Sequence, residues 1–288
     1  MTTSIAETPT RLRRLTQADL SAAHALSAEI GWPHRLEDWQ FALAAGAGVG
    51  AFERAGDLIG TTLWWPYGER IATLGLVIVA GSHQGRGIGR RMMDAALEAL
   101  GRRSVVLNAT QAGLRLYEAT GFKPVTTVRQ HQGAVFDVPM ARLQAGERIR
   151  PMGRADHAEL VRLDGLATGM ARGGMLAPLI AGADGVVLDR DGAMAGFALI
   201  RRFGRGHVVG PVVAPDTDGA KALITHWLGS RPGLFIRIDV PARAPAISPG
   251  LAELGLQRVG EVTTMVRGEA PAVAPECGLY ALVSQALG

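Results

Sequence analysis

The sequence is poor in the residues that build metal or disulfide sites. Of its 288 residues one is cysteine, Cys277. That excludes an internal disulfide framework and a Cys-rich zinc site. The seven histidines show no metal-ligand spacing, so no metal is expected. Lysine is almost missing too: among 30 basic residues only Lys123 and Lys221 are lysines, and the rest are arginines. No apolar run approaches the ~18 residues that a membrane helix needs, so no membrane partner is expected. Met1 to Arg14 carry no apolar stretch of signal-peptide length, which makes the cytoplasm the expected compartment. Charged residues are only 19% against 48% hydrophobic, too apolar for a disordered chain. Gly (38) and Pro (15) are too few for a fibrous one.

What is present points to a globular chain of about two domains, at roughly 150 residues each. The net charge of +4 is compatible with an anionic ligand, and arginine forks suit oxyanions. The clusters Arg11/Arg13/Arg14 and Arg201/Arg202/Arg205 come with no nucleic-acid-recognition motif, so no nucleic acid is expected.

The chain repeats itself weakly. Arg11-Leu12-Arg13-Arg14, a polar turn and Asp19 open one segment; Arg148-Ile149-Arg150-Pro151, a turn and Asp156 open another. Each reads as a strand leading into a helix, with apolar spacing at Leu20, Ala23 and Leu26 and at Leu160, Leu163 and Leu166. Leu74-Gly75-Leu76-Val77-Ile78-Val79 resembles Val209-Gly210-Pro211-Val212-Val213-Ala214, and Tyr117 to Phe122 parallels Leu251 to Leu256. A repeat this long is a domain duplication. The expectation is an α/β fold of two related domains, residues 1–145 and 146–288, each a mixed β-sheet with flanking helices. The apolar stretch Gly278 to Val283 is expected to pack back on the body.

The most informative segment runs from Leu76, Val77 and Ile78 through a Gly-rich turn into a helix. In that helix Ile88, Met92, Ala96 and Leu100 make an apolar face, and Glu98 stands four residues before Arg102 as an expected ion pair. A strand, a glycine loop and a helix start form a phosphate-gripping geometry, because free amides and the positive end of the helix dipole face the loop. Gly87 and Gly89 allow close approach, and a bound polyanion would offset the cations Arg90 and Arg91 in the first turn. The P-loop motif fails for want of its lysine, and the dinucleotide fingerprint fails at Arg90.

Gln84-x-x-Gly87-x-Gly89 instead resembles the acetyl-CoA pyrophosphate loop of the GNAT superfamily of acyl-CoA N-acyltransferases. Asn108, Gly113, Tyr117 and Gly121-Phe122 resemble the second motif of that superfamily at its usual distance. The resemblance spans about residues 10–130, and the second half resembles the degenerate second domain of tandem GNAT proteins. There Pro215 to Ala220 replace the phosphate loop and Leu251 replaces the tyrosine, so no pyrophosphate grip is expected.

The resemblance implies direct attack of an acceptor amine on the thioester of acetyl-CoA, the acyl-donor co-substrate. Backbone amides of Gln84, Gly85, Arg86, Gly87, Ile88, Gly89 and Arg90 would hold the pyrophosphate. Leu76 to Ile78 would pair with the pantetheine, and an amide near Val77 would polarise the thioester carbonyl. Asn108 would contact the pantetheine, and Tyr117 would be the general acid for the departing thiolate. No base is singled out among Glu69, Glu37, Asp38, His34 and His83. Trp32, Trp39 and Trp64 would line the site of a small-molecule amine; core filling is the competing reading of these tryptophans, and one of Trp64 and Trp65 is expected to pack under a helix. The expected activity is N-acetylation by a monomer or homodimer; the alternative is a non-catalytic CoA-binding sensor or interaction module.

Overall fold

The structure, a computed structural model, describes residues 10–288. The reading of Met1 to Arg14 as lacking a leader falls largely outside the described residues. The secondary structure runs through the same sequence of elements twice. The first pass is β1 (Arg11–Arg14), α1 (Leu20–Glu29), α2 (Leu36–Ala45), β2 (Ala47–Phe52), β3 (Leu58–Tyr67), β4 (Ile71–Val79), α3 (Ile88–Leu100), β5 (Ser104–Ala109), α4 (Leu114–Ala119) and β6 (Lys123–Ala134). The second is β7 (Glu147–Pro151), α5 (His157–Thr168), α6 (Gly173–Ala181), β8 (Asp184–Arg190), β9 (Ala193–Phe203), β10 (Gly206–Ala214), α7 (Thr217–Ser230), β11 (Phe235–Pro241), α8 (Ile247–Glu253) and β12 (Gln257–Arg267). A last strand, β13 (Gly278–Ala281), follows.

The repeat extends to side chains. Arg13 grips Asp19 with two hydrogen bonds of 2.9 and 2.7 Å, and Asp19 also accepts the Thr16 amide at 2.8 Å. Arg150 grips Asp156 in the same way at 2.8 and 2.7 Å, and Asp156 accepts the Gly153 amide at 2.7 Å. The same aspartate ties strand to helix start in each half. Gly60 on β3 and Gly196 on β9 form a second matching pair. A Cβ at Gly60 would stand 2.9 Å from the Ile78 carbonyl, and one at Gly196 would stand 2.6 Å from the Val213 carbonyl. Only a residue without a Cβ lets the next strand come so near.

By compactness the chain falls into two units that cut across the repeat. The first holds residues 10–65 and 74–102. Its strands are ordered β1-β2-β3-β4, with β1–β2 and β2–β3 antiparallel. Trp65 is fully buried and donates its indole N–H to the Ala42 carbonyl of α2 at 2.8 Å. Trp64, the next residue along the strand, faces the other way and is half-buried. Helix α3 buries Ile88, Met92, Met93, Ala96 and Leu100, and Arg90, Asp94 and Glu98 are exposed, as the periodicity requires. The Glu98–Arg102 ion pair does not form. The helix ends at Leu100, and Gly101 turns the chain at φ +62°, off the helical spacing. Arg90 pairs with Asp94 instead, at 3.0 Å.

The second unit holds residues 66–73 and 103–288. Its strands are ordered β5-β12-β6-β11-β10-β9-β8-β7. Here the repeats exchange their last strands: β12 lies between β5 and β6, and β6 pairs antiparallel with β11. The start of β4, Ile71–Thr73, pairs parallel with Ser104–Val106 of β5. The core is the apolar cluster around Val209, Leu223, Trp227 and Ile238. The stretch after Gly278 does pack back on the body: β13 pairs with β10, and Leu279, Ala281, Leu282 and Val283 are buried. Among the described residues no helix is long and apolar enough to cross a membrane.

Candidate active site

The site begins with a distortion in β4. Leu76 is buried yet adopts a left-handed φ of +51°, and its carbonyl accepts the Thr61 hydroxyl at 2.8 Å. A non-glycine residue held there costs of order 1–3 kcal/mol, so the surrounding structure must enforce it. Val77 and Val79 beyond it are half-buried. The chain then makes a 3-10 turn at Gly81–His83, stapled by Gln84 Nε2 to the Val79 carbonyl (3.1 Å) and Arg86 Nη2 to the Ser82 carbonyl (3.0 Å).

Gly87 is the N-cap of α3 at φ +73° and has no capping side chain. The first bond within the helix runs from the Arg91 amide to the Gly87 carbonyl, 3.1 Å. The Ile88 and Gly89 amides before it have no carbonyl within the helix to bond. No acidic residue stands in this first turn. A Cβ at Gly81, Gly85 or Gly87 would meet nothing within 4 Å. The space over the loop is therefore open, and a side chain at Gly87 would project into it. Amides with no partner within the helix, a helix dipole with no anion of its own and open space together fit a diphosphate. Arg90 is already balanced by Asp94, and Arg91 donates to the Thr10 carbonyl at 2.9 Å.

The second motif has a packing reason for its spacing. Gly113 and Tyr117 lie four apart, and the Tyr117 ring rests on the glycine: a Cβ there would stand 2.7 Å from the ring. Tyr117 is buried, edge-on to Phe122 with centroids 6.1 Å apart. Burial pushes its hydroxyl pKa well above the usual tyrosine value, so it stays protonated at neutral pH. The helix ends in a Schellman cap: the Phe122 amide bonds the Tyr117 carbonyl and the Gly121 amide the Glu118 carbonyl, both at 3.0 Å. Asn108, on β5, is half-buried. Its Nδ2 donates to the Gln285 carbonyl and its Oδ1 accepts from Thr264, both at 2.7 Å.

The tryptophans divide. Trp32 and Trp64 keep exposed surface. Trp39 has none, and its N–H donates to Ser27 Oγ at 3.0 Å. That placement gives Trp39 to the packing of α2 on α1 and not to an acceptor. Two of the candidate bases are engaged: Asp38 caps α2 through the Arg35 amide at 2.9 Å, and His83 bonds Glu53 at 2.6 Å. His34 lies edge-on to Trp32 and Trp39. Glu37 and Glu69 are exposed. Among the described residues no group of three metal-ligating side chains comes together.

The matching place in the second half is filled from within. At the start of α7, Asp216 is the N-cap; its carboxylate accepts the Gly219 amide at 2.8 Å and pairs with Arg190 at 3.1 Å. Strand β10 breaks register between Val209 and Val212, where β4 has its distortion. Val212, Val213 and Ala214, which match Val77, Ile78 and Val79, pair with β13. Strands β10 and β11 pair only at His207↔Ile236 and Val208↔Arg237, and the Leu282 amide after β13 bonds the Asp239 carbonyl of β11 at 3.0 Å. The chain's own strand thus holds the backbone groups that a ligand arm would need. Leu251 stands for Tyr117 above the same cap, with Leu256 N–H to Leu251 O and Gly255 N–H to Ala252 O.

Comparison with known proteins finds matches in both halves. The family described as Acetyltransferase (GNAT) domain matches residues 46–124, and a second family of the same description matches residues 160–281. The chain is 29% identical over 281 residues to the uncharacterized N-acetyltransferase YitH of Bacillus subtilis, covering 96% of this chain and 98% of that protein. A putative acetyltransferase from Pyrococcus horikoshii shares the fold with a TM-score of 0.78 at 19% identity, over 100% of this chain and 99% of that one. A tandem GNAT protein from the clavulanic acid biosynthesis pathway does so with a TM-score of 0.62 at 16% identity, over 91% of this chain and 100% of the other.

Proposed function

Because this chain belongs to the GNAT acetyltransferase family, with two GNAT domains in tandem, we propose that it transfers an acetyl group from acetyl-CoA to a primary amine of a small molecule. The observation that carries this reading is the uncapped, open helix start at Gly87, set against its counterpart closed by Asp216. Residues 1–145 form the CoA-binding repeat and residues 146–288 a degenerate copy. Amides from Gln84 to Arg90 hold the diphosphate, and the backbone of Leu76 to Ile78 pairs with the pantetheine. Asn108 uses its second amide hydrogen on the same arm. Trp32 and Trp64 face the acceptor.

The amine nitrogen attacks the thioester carbon, forming the C–N bond. The Val77 amide stabilises the developing oxyanion. The C–S bond breaks, the sulfur takes a proton from Tyr117, the amine gives up a proton to solvent, and Tyr117 regains one from solvent. Tyr117 is protonated at neutral pH and so has a proton to give, although burial makes it the weaker acid.

Calorimetric titration with acetyl-CoA, followed by thiol release over a panel of amines, tests the proposal. Binding at one site, abolished in Gly87→Glu, with turnover on at least one amine, is expected. No binding to the wild type removes the reading. Binding without turnover on any amine would favour a CoA-responsive module instead.

A further inference from the structure

Asn108 also lines a cavity of about 190 Å³ that lies wholly within the second unit. The strand side is hydrocarbon: Val106 of β5, Val128 of β6 and Val266 of β12. Pro271 and Val273, from the segment after β12, close it opposite. Two arginines, Arg172 and Arg243, also line it.

The two arginines differ in what they still have to offer. Arg172 is fully buried, and Asp164 takes it in a bidentate pair at 2.6 and 2.9 Å. Its remaining branch donates to the Leu287 and Gly288 carbonyls. Its charge and its fork are used. Arg243 is exposed and donates to one acceptor, the Ala167 carbonyl at 3.2 Å. No carboxylate among the described residues pairs with it. Burial, and then the neighbouring Arg172, hold its pKa below the ordinary arginine value. Arg243, beside Arg172 in a mostly apolar wall and with no side-chain carboxylate of its own, offers its charge to an incoming anion. A free guanidinium fork matches a carboxylate in two parallel hydrogen bonds.

We propose that this cavity is the acceptor subsite, taking a small amine that also carries a carboxylate, with Arg243 on the carboxylate and the hydrocarbon body against Val106, Val128 and Val266. The inference rests on the acyltransferase reading, in which Asn108, one of the residues lining the cavity, would contact the pantetheine. The volume, on the order of six water molecules, limits the acceptor to one of amino-acid size. Arg243 is a specificity residue, and the chemistry stays with the thioester.

The test separates the two readings. Binding of 4-methylpentanoate and of its neutral amide is measured by calorimetry on the full chain and on R243Q, alongside acetyl-CoA. The carboxylate is expected to bind saturably, and the amide about tenfold or more weaker. R243Q should weaken the carboxylate by about tenfold or more and leave acetyl-CoA affinity and melting temperature unchanged. R243K, which keeps the charge without the fork, should fall between them. With L-leucine and L-leucinamide as acceptors, R243Q should raise KM for the acid alone. Equal binding of acid and amide, no binding of either, or indifference to R243Q overturns the acceptor assignment. If acetyl-CoA fails to bind the wild type while the carboxylate binds, the acyltransferase reading falls and the anion pocket stands.

Discussion

The starts of α3 and α7 answer the same local problem in opposite ways. Each helix begins after a distorted strand, at Leu76 in β4 and between Val209 and Val212 in β10, and each first turn has amides to satisfy. At α7 the chain supplies the anion itself, as the Asp216 carboxylate on the Gly219 amide, and β13 takes the adjacent strand edge. At α3 it supplies neither a capping side chain nor an acid, only left-handed glycines under open space. The first arrangement is complete as folded. The second is open as folded, and under the acyltransferase proposal the diphosphate and extended arm of coenzyme A complete it. On that reading one repeat serves as scaffold, through covalent stand-ins for the ligand that the other binds.

That contrast can be broken in order of effect. The largest change is expected in the second unit, whose stability depends on the fully buried Arg172–Asp164 pair. Arg172→Met leaves Asp164 as an unpaired buried charge and should cost about 3–5 kcal/mol in denaturant unfolding. Transplanting the α7 cap into α3 comes next. Gly87→Asp puts a carboxylate where the diphosphate is read to sit and should weaken acetyl-CoA binding by about 100-fold in calorimetry, with unfolding free energy moved by less than about 1 kcal/mol. Asp216→Ala should leave that affinity unchanged. Tyr117→Phe should lower kcat by about tenfold or more without changing acetyl-CoA affinity, since only the proton donor is removed.

A smaller effect sharpens the likeness of the halves. Hydrogen bonds from Arg13 and Arg150 lower the Asp19 and Asp156 pKa values to about 2, below the unfolded value of 3.8. A depressed folded pKa contributes stability above the unfolded pKa, and that stability is lost as pH falls from near 4 through about 2. Urea midpoints should drop over that window, and the drop should flatten by similar amounts in Asp19→Asn and Asp156→Asn. The smallest effect belongs to the exposed Arg90–Asp94 pair: Asp94→Ala should change unfolding free energy by less than about 0.5 kcal/mol.

Much of this was legible in the chain. The periodicity of Ile88, Met92, Ala96 and Leu100 gave helix α3, and the paired Arg–Asp openings and the Gly121 and Gly255 caps marked the duplication. These signals are local: they depend on residues within a turn or two of one another. The readings that failed were those that needed distant partners. The sequence leaves Trp39 between acceptor lining and core filling, and only its burial against Ser27 decides for the core. The Glu98–Arg102 spacing ignores that Gly101 ends the helix. Arg172 and Arg243 belong to no motif, because their cavity is assembled from β5, β6, β12 and the segment after β12. The general base is not marked by any motif, and the structure engages Asp38 and His83 elsewhere.

The sequence by itself determined the order of elements, their caps and the glycine turn, because hydrogen bonding and steric limits act over a few residues. Only the tertiary structure decided that β12 enters between β5 and β6, that β13 pairs with β10, and that Asp164 takes Arg172 while no carboxylate among the described residues pairs with Arg243. Those outcomes depend on contacts between segments far apart in the chain, where backbone pairing and buried charge must be satisfied together and no local pattern records the partner.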